Sequence, residues 1–542
     1  MRKPELMSKK NTKYIFVTGG VTSSLGKGIV SASLGLLLKS RGFNVTIQKL
    51  DPYINIDPGT LNPYEHGECY VTEDGAETDL DLGHYERFLN SKTSQNNNVT
   101  TGKIYQTVIE KERKGEFLGK TVQVIPHITN EIKRRIKILA KQNYDIIITE
   151  IGGTVGDIES LPYIESVRQL RWELGEYNSM VIHLTLLPYL ASSGELKTKP
   201  SQHSVRQLME SGIQADVLVC RTEHKIPKEQ RAKLAQFCNV ALENVIECKD
   251  LETIYEVPLY LQKQNFDDVV LKELNLKSDR EADLKDWKTF LKKYQHPKRK
   301  VEIALVGKYV SLQDSYKSIA EAFIHAGADL ETEVKIRWVY SGDLEENNVA
   351  ETFAGIDGML IAPGFGDRGI GGKISAARYA RENNVPLLGI CLGMQIMTIE
   401  FARNVLGYQK ANSMEFDTST PEPVISLMEE QKNVVDKGGT MRLGAWKCVL
   451  KSGSRLAEIY GSKNISERHR HRYEFNSDFR SEFEEQGLMP TGFNPETDLV
   501  ETLELKNHPF YIGVQYHPEY KSTVASPHPL FKALITAAIN QK

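Results

Sequence analysis

The chain of 542 residues is long enough for more than one domain with its own hydrophobic core. Its 68 basic and 71 acidic side chains nearly balance, so the charge gives no reason to expect nucleic acid as a partner. Its six cysteines include no Cys-x-x-Cys pair, which argues against a zinc site or a disulfide framework, and no apolar run reaches the about 20 residues that cross a bilayer. These features favour a cytoplasmic protein without a membrane partner.

The organisation of the chain follows from the alternation of strand and helix patterns. Residues 1–12 are basic and lack the apolar core of a signal peptide, which predicts a disordered extension, with Met7 as a second candidate for the natural start. From residue 13 onward β-type apolar runs alternate with helical patterns, and the alternation restarts at Val301 after a polar stretch over residues 295–300. We predict an α/β fold with two doubly wound domains, over residues 13–275 and 301–542, joined by a linker over residues 276–300.

A glycine-rich loop follows the first predicted strand. Residues 19–28 read Gly-Gly-Val-Thr-Ser-Ser-Leu-Gly-Lys-Gly, and a helix of small residues follows them. Strand, glycine-rich loop and helix are typical of a phosphate-binding site, in which Lys27 would reach the outer phosphates. The spacing is not that of a strict Walker A motif, because Gly28 stands where a Ser or Thr hydroxyl would hold a metal. By itself the loop fits a nucleotide site and an ordinary glycine-rich turn about equally well.

Carboxylates are concentrated after the next predicted strands. Residues 73–86 are acidic, and Glu150 follows a predicted strand at the end where α/β sheets bind their ligands. An acidic run is usually a solvated loop, but a phosphate loop without its own metal hydroxyl favours Mg²⁺ binding by carboxylates. A further loop over residues 192–203 carries Lys and hydroxyl side chains that would suit a second phosphorylated substrate, although alone it is more readily an exposed basic turn.

The second half of the chain contains a candidate nucleophile. Cys391 is the centre of a Gly-x-Cys-x-Gly turn between an apolar strand and a helical stretch. We expect the glycines to let the backbone bend sharply and leave the thiol exposed at a helix N-terminus, where the helix dipole favours the thiolate. His517 and Glu519 follow a later strand and supply a base and a group that orients it. A lone Cys is usually a core residue, but the turn and the His-Pro-Glu string together outweigh that interpretation.

This half of the chain resembles the class I glutamine amidotransferases. The resemblance implies that Cys391 forms a glutamyl thioester, His517 transfers the proton and Glu519 orients His517, with ammonia as the product. The oxyanion loop of that family usually reads Pro-Gly-Gly-Phe-Gly, whereas residues 362–366 read Ala-Pro-Gly-Phe-Gly. Pro363 has no N–H to donate, so the donors would be Gly364 or a later residue and Leu392. The residues that the resemblance implies for glutamine binding are Gly364, Leu392, Gly393, Met394, Gln395, Glu415 and Arg472.

Longer strings in the first half resemble the CTP synthase family. They are Ser-Ser-Leu-Gly-Lys-Gly from residue 23, Lys-Leu-Asp-Pro-Tyr from residue 49, the acidic run from residue 73, Gly-Gly-Thr-Val-Gly-Asp-Ile-Glu from residue 152 and Lys-Thr-Lys-Pro-Ser-Gln-His from residue 197. The resemblance covers the chain from Lys13 to its end. It implies a P-loop NTPase-like synthetase (amidoligase) domain that aminates UTP to CTP with ATP through a 4-phosphoryl-UTP intermediate. It also implies activation by GTP, inhibition by CTP, Mg²⁺ without a prosthetic group, and a homotetramer, with filaments left open.

The same resemblance assigns residues to each nucleotide. Lys27 and Lys49 would be catalytic cations, and Asp81 and Glu150 would hold Mg²⁺. The residues implied for ATP are Ser24, Leu25, Gly26, Lys27, Gly28, Ile29, Asp81, Lys249, Asp250 and Leu251. The residues implied for UTP and CTP are Ser23, Asp157, Ile158, Glu159, Lys197, Thr198, Lys199, Pro200, Ser201, Gln202 and Lys233, with Asp157 and Glu159 near the base of the inhibitor.

Two other functions stay open at this point. The first is a P-loop amidoligase that amidates a carboxylate, such as a cobyrinate-type substrate, and the cations of residues 197–203 argue for a triphosphate instead. The second is a regulatory or filament-forming relative with an inactive glutaminase. Intact Cys391, His517 and Glu519 argue against that function, and Pro363 is the feature that favours it.

Overall fold

The computed structural model describes residues 12–428, 431 and 438–541, and residues 1–11 of the expected extension lie outside this part of the chain. Two compact units are present. The first contains the chain up to Asp57 together with His84–Lys285, and the second contains Pro58–Gly83 and Asp286–Lys542. The predicted α/β fold with two domains is confirmed. Residues 58–83 nevertheless pack with the second unit, because tertiary contacts decide which core a segment joins and a local hydrophobic period does not report them.

The first unit is built on a parallel sheet. Its strands within the described residues are Lys13–Gly19 (β1), Val45–Asp51 (β2), Asn98–Thr100 (β3), Ile146–Ile151 (β4), Ser179–Leu187 (β5), Val217–Thr222 (β6) and Val245–Lys249 (β7). They lie in the order β7-β6-β5-β1-β4-β2-β3, and every neighbouring pair is parallel. Strand β4 is buried along its whole length, as expected for a sheet covered on both faces.

Helices connect and cover these strands. They are Lys27–Ser40 (α1), Asp81–Leu89 (α2), Thr101–Arg113 (α3), Thr129–Ile138 (α4), Leu161–Leu174 (α5), Lys199–Glu210 (α6), Lys228–Cys238 (α7), Val257–Lys263 (α8) and Phe266–Glu273 (α9). Local signals set their starts: Thr100 accepts a hydrogen bond from the Lys103 N–H at the start of α3, and Pro200 lies in the first turn of α6. Helix α2 crosses the division between the units.

The second unit has a larger, mixed sheet. Its strands are Arg299–Gly307 (β8), Thr332–Tyr340 (β9), Gly358–Ile361 (β10), Leu387–Ile390 (β11), Arg442–Leu450 (β12), Asn464–His471 (β13), Leu488–Phe493 (β14), Val500–Leu505 (β15) and Tyr511–Val514 (β16). Their order is β9-β8-β10-β11-β16-β15-β14-β12-β13. The pairs from β9 to β16 are parallel and those from β16 to β13 are antiparallel.

Apolar clusters on both faces of this sheet form the core of the second unit. Its main helices are Lys285–Gln295 (α10), Lys317–Asp329 (α11), Ile370–Glu382 (α12), Leu392–Phe401 (α13), Arg455–Tyr460 (α14), Arg480–Glu485 (α15) and Pro529–Asn540 (α16). Helix α10 lies within residues 276–300, which were predicted to be a linker. The limits of that linker stay a prediction. In the part of the chain that the structure describes, no helix is long and apolar enough to cross a membrane.

Candidate active site

Cys391 lies at the sharp turn between β11 and α13. Its backbone has φ 53° and ψ −105°, a strained conformation for a residue other than glycine. Such strain at a strand-to-helix turn is the hallmark of a nucleophile elbow, which presents a side chain at the N-terminus of the helix. The residue is only 3% exposed, so the expectation of an exposed thiol is wrong. The thiol is instead part of the lining of two pockets of the second unit.

The glycines that flank Cys391 serve a different purpose from the one expected. Neither Gly389 nor Gly393 has a positive φ, and Cys391 itself carries the unusual backbone angle. A Cβ on Gly389 would lie 2.4 Å from Sδ of Met397, and a Cβ on Gly393 would lie 2.3 Å from the carbonyl oxygen of Ile361. Glycine is therefore required because strand and helix approach too closely for a side chain.

His517 and Glu519 complete the predicted triad. Nδ1 of His517 lies 2.8 Å from Oε1 of Glu519, and both side chains are buried. Burial disfavours the charged ring, but the Glu519 carboxylate and the Cys391 thiol outweigh burial and raise the pKa of His517 to about 10. The geometry therefore favours an imidazolium that can donate a proton to a leaving amine. Gln515, which the sequence did not single out, donates from Nε2 to Sγ of Cys391 at 3.6 Å.

The raised pKa of His517 predicts a limit to activity at high pH. The protonated ring is present below its pKa of about 10 and is lost as the pH rises through that value. We expect the glutamine-dependent rate to fall above that pH, measured as initial rates in overlapping buffers. In Glu519→Gln the rate should begin to fall at a lower pH, because the carboxylate that raises the pKa of His517 is gone. If the rate of that variant fell at the same pH as that of the wild type, a group other than His517 would be responsible for the fall.

The predicted oxyanion loop of residues 362–366 is held by three side chains, of which those of Lys308 and Lys373 are buried. Lys308 donates from Nζ to the Gly366 carbonyl, and Glu415 accepts from the Gly366 N–H at 2.7 Å. Lys373 donates from Nζ to the Ala362 carbonyl at 2.5 Å. Burial lowers the pKa of Lys308 to about 8 and lowers that of Lys373 as well. These contacts fix the shape of the loop despite Pro363.

The expected oxyanion donors lie next to each other. A Cβ on Gly364 would be 3.7 Å from Cδ2 of Leu392, the first residue of α13. The first N–H groups of a helix have no partner within it, so that of Leu392 is suited to stabilise an oxyanion beside Cys391. The assignment of Gly364 and Leu392 as the two donors stays a prediction.

A pocket of about 350 Å³ gathers most of the residues predicted to bind glutamine. Its lining includes Cys391, Gly364, Leu392, Gln395, Glu415 and Arg472. Gly393 and Met394 are buried in α13 and are not part of the lining. Phe365, His471 and Tyr473 also line the pocket but escaped the sequence analysis, although the last two flank Arg472 in the Arg-His-Arg-Tyr string. Carboxylate and guanidinium side chains in one pocket suit an amino acid substrate.

A second, larger cavity of the same unit also reaches Cys391 and His517. It has a volume of about 560 Å³, and residues 59–64 and 67–69 form part of its lining. The guanidinium of Arg368 lies 5.9 Å from the ring centroid of Tyr64 and 5.6 Å from that of Tyr309. Arg470, held by Glu77 at 2.8 Å, adds a second cation. Aromatic rings and guanidinium groups together suit a planar, anionic ligand.

The glycine-rich loop of the first unit lies between β1 and α1. Lys27 is the first residue of α1 and donates from Nζ to the carbonyl of Gly153. The Val155 N–H donates to the Gly19 carbonyl at 2.8 Å. The loop and the Gly-Gly-Thr-Val string from residue 152 therefore contact each other at the carboxyl ends of neighbouring strands, where α/β sheets bind their ligands.

Arg221 connects the loop to the other residues predicted for ATP. Its NH1 donates to the Ser24 carbonyl at 2.8 Å, and its Nε donates to Oδ1 of Asp250 at 2.8 Å. Lys249 ends β7 and Leu251 follows Asp250, so the structure brings this segment to the glycine-rich loop. The sequence analysis missed Arg221, although a charged residue near the end of a buried strand was a signal for it.

The cations predicted for UTP lie around the start of α6 and on α7. Lys197 forms an ion pair with Glu195. Lys197, with a smaller contribution from Lys233, lowers the pKa of Glu195, so both cations face this carboxylate. Thr198 accepts from Nε2 of Gln202 at 3.1 Å, and Lys199 and Pro200 form the first turn of α6.

The remaining residues predicted for UTP and CTP are more scattered. Ser23 is exposed on the glycine-rich loop. Oδ2 of Asp157 accepts from the Thr154 N–H at 3.2 Å, and Ile158 beside it is 82% exposed, with Glu159 exposed as well. That these residues and the start of α6 bind the same nucleotide stays a prediction.

The predicted metal ligands belong to different parts of the structure. Glu150 is 2% exposed and accepts a hydrogen bond from the hydroxyl of Tyr85. Lys49 lies beside Glu150 in the register of β2 and β4 and is 3.7 Å from Oδ1 of Asp51. Asp81 belongs to the second unit. The described residues contain no group of three or more His, Cys, Asp or Glu side chains able to hold a metal, and the Asp81–Glu150 pair stays a prediction.

Comparison with known proteins assigns each half of the chain to a known family of domains. A model of the CTP synthase N-terminus matches residues 13–276, and a model of class I glutamine amidotransferases matches residues 311–537. The CTP synthases of Flavobacterium johnsoniae and Flavobacterium psychrophilum are 67% and 66% identical, each over 98% of this chain and 99% of the relative. The chain belongs to the CTP synthase family. A CTP synthase of Porphyromonas gingivalis is 60% identical over 98% of this chain and 99% of its own length.

A solved structure matches the second half. The glutaminase domain of Trypanosoma brucei CTPS with bound acivicin is 36% identical, with a TM-score of 0.42, and the match covers 45% of this chain and 95% of that one. Membership of the family makes the chain an enzyme, a glutamine-hydrolysing carbon–nitrogen ligase of pyrimidine biosynthesis. Both resemblances inferred from the sequence are confirmed.

Proposed function

We propose that this enzyme converts UTP to CTP with ammonia from glutamine, and that ATP activates UTP by phosphorylating O4. The observation that carries the proposal is the buried Cys391–His517–Glu519 arrangement in a chain whose other unit has a glycine-rich loop at the start of α1. The CTP synthase relatives at 67% and 66% identity support this substrate over the carboxylate of another amidoligase. The intact triad argues against a non-catalytic relative.

In the glutaminase reaction, Sγ of Cys391 attacks the side-chain carboxamide carbon of glutamine. The N–H groups of Gly364 and Leu392 stabilise the oxyanion, and His517 gives a proton to the departing nitrogen as the C–N bond breaks. Ammonia leaves and a glutamyl thioester remains. Water, which His517 deprotonates, then attacks the thioester, and the C–S bond breaks to give glutamate and the free cysteine.

In the synthetase reaction, O4 of UTP attacks the γ-phosphorus of ATP, ADP leaves and N3 of the uracil loses its proton. Ammonia then attacks C4, the C4–O bond breaks and inorganic phosphate departs with the surplus proton. Lys27 and Lys49 stabilise the negative charge on the transferred phosphoryl group. Asp81 and Glu150 would hold Mg²⁺, which would neutralise phosphate charge when bound. Ser23, Lys197 and Lys233 would bind the triphosphate of UTP.

Regulation by two further nucleotides belongs to the same proposal. CTP inhibits by using the triphosphate-binding residues of UTP, with its base near Asp157 and Glu159. GTP activates glutamine hydrolysis. The cavity of about 560 Å³ that reaches Cys391 supports a purine nucleotide as its ligand, because Arg368 and Arg470 suit phosphates and Tyr64 and Tyr309 suit a planar base.

The proposed conversion is tested by following CTP formation from UTP, ATP, Mg²⁺ and GTP, with either glutamine or ammonium chloride as nitrogen source. We expect CTP from both sources and none when ATP is omitted. CTP from ammonium chloride alone would contradict the glutaminase half of the proposal. The absence of CTP from both would overturn the proposal and direct attention to other amidoligase substrates.

We propose that the enzyme is a cytoplasmic homotetramer. Several large apolar side chains of the first unit are exposed: Ile109 by 57%, Leu118 by 88%, Ile158 by 82% and Trp172 by 88%. Where such side chains lie together, they form the apolar patches that mark interaction surfaces in soluble proteins. We expect Leu118→Asp to lower the mass measured by sedimentation at fixed concentration, whereas Lys141→Ala, at an exposed polar residue of the same unit, should not. An unchanged mass in Leu118→Asp would show that Leu118 is not part of the subunit interface. Filaments would appear in the same measurement as species larger than a tetramer.

A further inference from the structure

A fully buried histidine of the first unit has no role in the reaction proposed above. His183 lies on β5 and is 0% exposed. Its Nδ1 is 2.8 Å from Oγ1 of Thr18 on β1, and its Nε2 is 2.8 Å from Oγ of Ser204 on α6. Burying an imidazole is unfavourable unless its nitrogens are hydrogen-bonded, and both nitrogens of this ring are. The ring therefore connects three elements through two specific contacts.

The first contact lies directly before the glycine-rich loop. Thr18 and His183 are partners in the parallel register of β1 and β5, and the Gly20 N–H donates to the Leu184 carbonyl at 3.1 Å. A Cβ on Gly20 would be 1.7 Å from Oγ of Ser204 and 3.3 Å from Nε2 of His183. The start of the loop therefore lies against the His183–Ser204 pair, with no room for a side chain at Gly20.

The second contact lies on the helix that begins with the residues proposed for UTP. Ser204 is in the second turn of α6, whose first residue is Lys199. Ser201 makes another bond from the same helix, from Oγ to the Leu186 carbonyl of β5 at 3.0 Å. Two side-chain bonds thus attach the start of α6 to β5. The position of this helix is set relative to the strand that also supports the glycine-rich loop.

The ring is a structural connector and not a proton carrier. Burial, with a smaller contribution from Lys27, lowers the pKa of His183 to about 3. A neutral imidazole has one donor and one acceptor nitrogen, so it can satisfy Thr18 and Ser204 at the same time without a charge. Protonation would turn both nitrogens into donors and break this arrangement.

We infer that His183 is a positioning residue, which together with Thr18 and Ser204 holds the ATP loop and the UTP helix in fixed relative positions. The inference rests on the proposed function. Transfer of the γ-phosphoryl group to O4 requires the two nucleotides to be aligned, and a misplacement of about 1 Å can slow a reaction by about 10²-fold. The loop also contacts Ser204 directly at Gly20, and the ring fixes this contact because it hydrogen-bonds both Ser204 on α6 and Thr18 on β1.

The test measures ammonia-driven CTP formation in the full-length enzyme, which leaves the glutaminase out of the result. The variants are Ser204→Ala and His183→Asn. The matched control is Ser211→Ala, which removes a half-buried hydroxyl directly after the same helix. We expect kcat to fall about 10- to 100-fold in the first two variants. The binding of ATP alone and of UTP alone should stay close to the wild-type values. The loss should be equal at pH 7 and pH 9, because the ring is neutral at both.

Three results would overturn the inference: wild-type kcat in both variants, weaker binding of each single nucleotide with unchanged kcat, or a loss that depends on pH. If His183→Asn does not fold, Ser204→Ala carries the test. If the wild-type enzyme forms no CTP, the proposed function fails, and nucleotide binding then tests the inference in place of kcat. The change in UTP affinity on adding a non-hydrolysable ATP analogue should then be smaller in Ser204→Ala than in the wild type, and an equal change would contradict the connection.

Discussion

Cys391→Ala is expected to abolish CTP formation from glutamine and to leave CTP formation from ammonium chloride unchanged. Without Sγ no thioester can form, and loss of the nucleophile of a catalytic triad lowers the rate by about 10⁴-fold or more. Cys391 belongs to the second unit, whereas the glycine-rich loop and α6 belong to the first. Removal of this thiol therefore leaves the glycine-rich loop and α6 intact. Initial rates with each nitrogen source measure the effect.

A second buried thiol of the same unit supplies the control. Cys448 is 1% exposed and lies on β12, so Cys448→Ala also removes a buried sulfur but no proposed catalytic group. It should retain both activities if the protein folds. Loss of the ammonia-driven activity in Cys391→Ala would show that the two reactions cannot be separated in this way. Retention of the glutamine-driven activity would exclude Cys391 as the nucleophile.

Lys27→Ala is expected to stop CTP formation from both nitrogen sources. Lys27 starts α1 directly after the glycine-rich loop, where its amine can reach the outer phosphates of ATP. Removing a positioned cation that stabilises transition-state charge costs about 10²- to 10³-fold in rate. The measurement is the initial rate of CTP formation with glutamine and, separately, with ammonium chloride, at saturating ATP and UTP.

Lys141→Ala is the matched control for this change, because Lys141 is an exposed lysine of the same unit outside the proposed site. It should behave as the wild type. Lys27→Ala should also leave the alkylation of Cys391 by iodoacetamide unchanged, which shows that the glutaminase unit is folded. Near-normal CTP formation in Lys27→Ala would remove this residue from the phosphoryl-transfer step.

Local sequence was sufficient where the chemistry lies in short contiguous strings. The Gly-x-Cys-x-Gly frame predicted the strand, the sharp turn and the helix around Cys391, and the structure has all three. The glycine-rich loop predicted β1 and α1 in the same way. In both cases the backbone conformation follows from neighbours a few residues apart. The reason for the glycines did not follow, because the close approach of Met397 and Ile361 is a tertiary contact.

Residues that act across the fold could not be found from their own surroundings in sequence. Arg221, Gln515 and His183 have no recognisable motif, and each contacts residues more than a hundred positions away. Such contacts depend on the order of strands in a sheet, and a hydrophobic pattern predicts a strand without predicting its neighbours.

The sequence by itself determined the two α/β units, the family and the strings that carry the two reactions, since these depend on local periodicity and on contiguous residues. The tertiary structure decided that residues 58–83 pack with the glutaminase unit, that the Cys391 thiol is buried beside His517, and that one buried histidine hydrogen-bonds both Thr18 on β1 and Ser204 on α6. Burial and contacts between distant residues arise only when the whole chain packs, because the hydrophobic gain is shared among all the elements of a core.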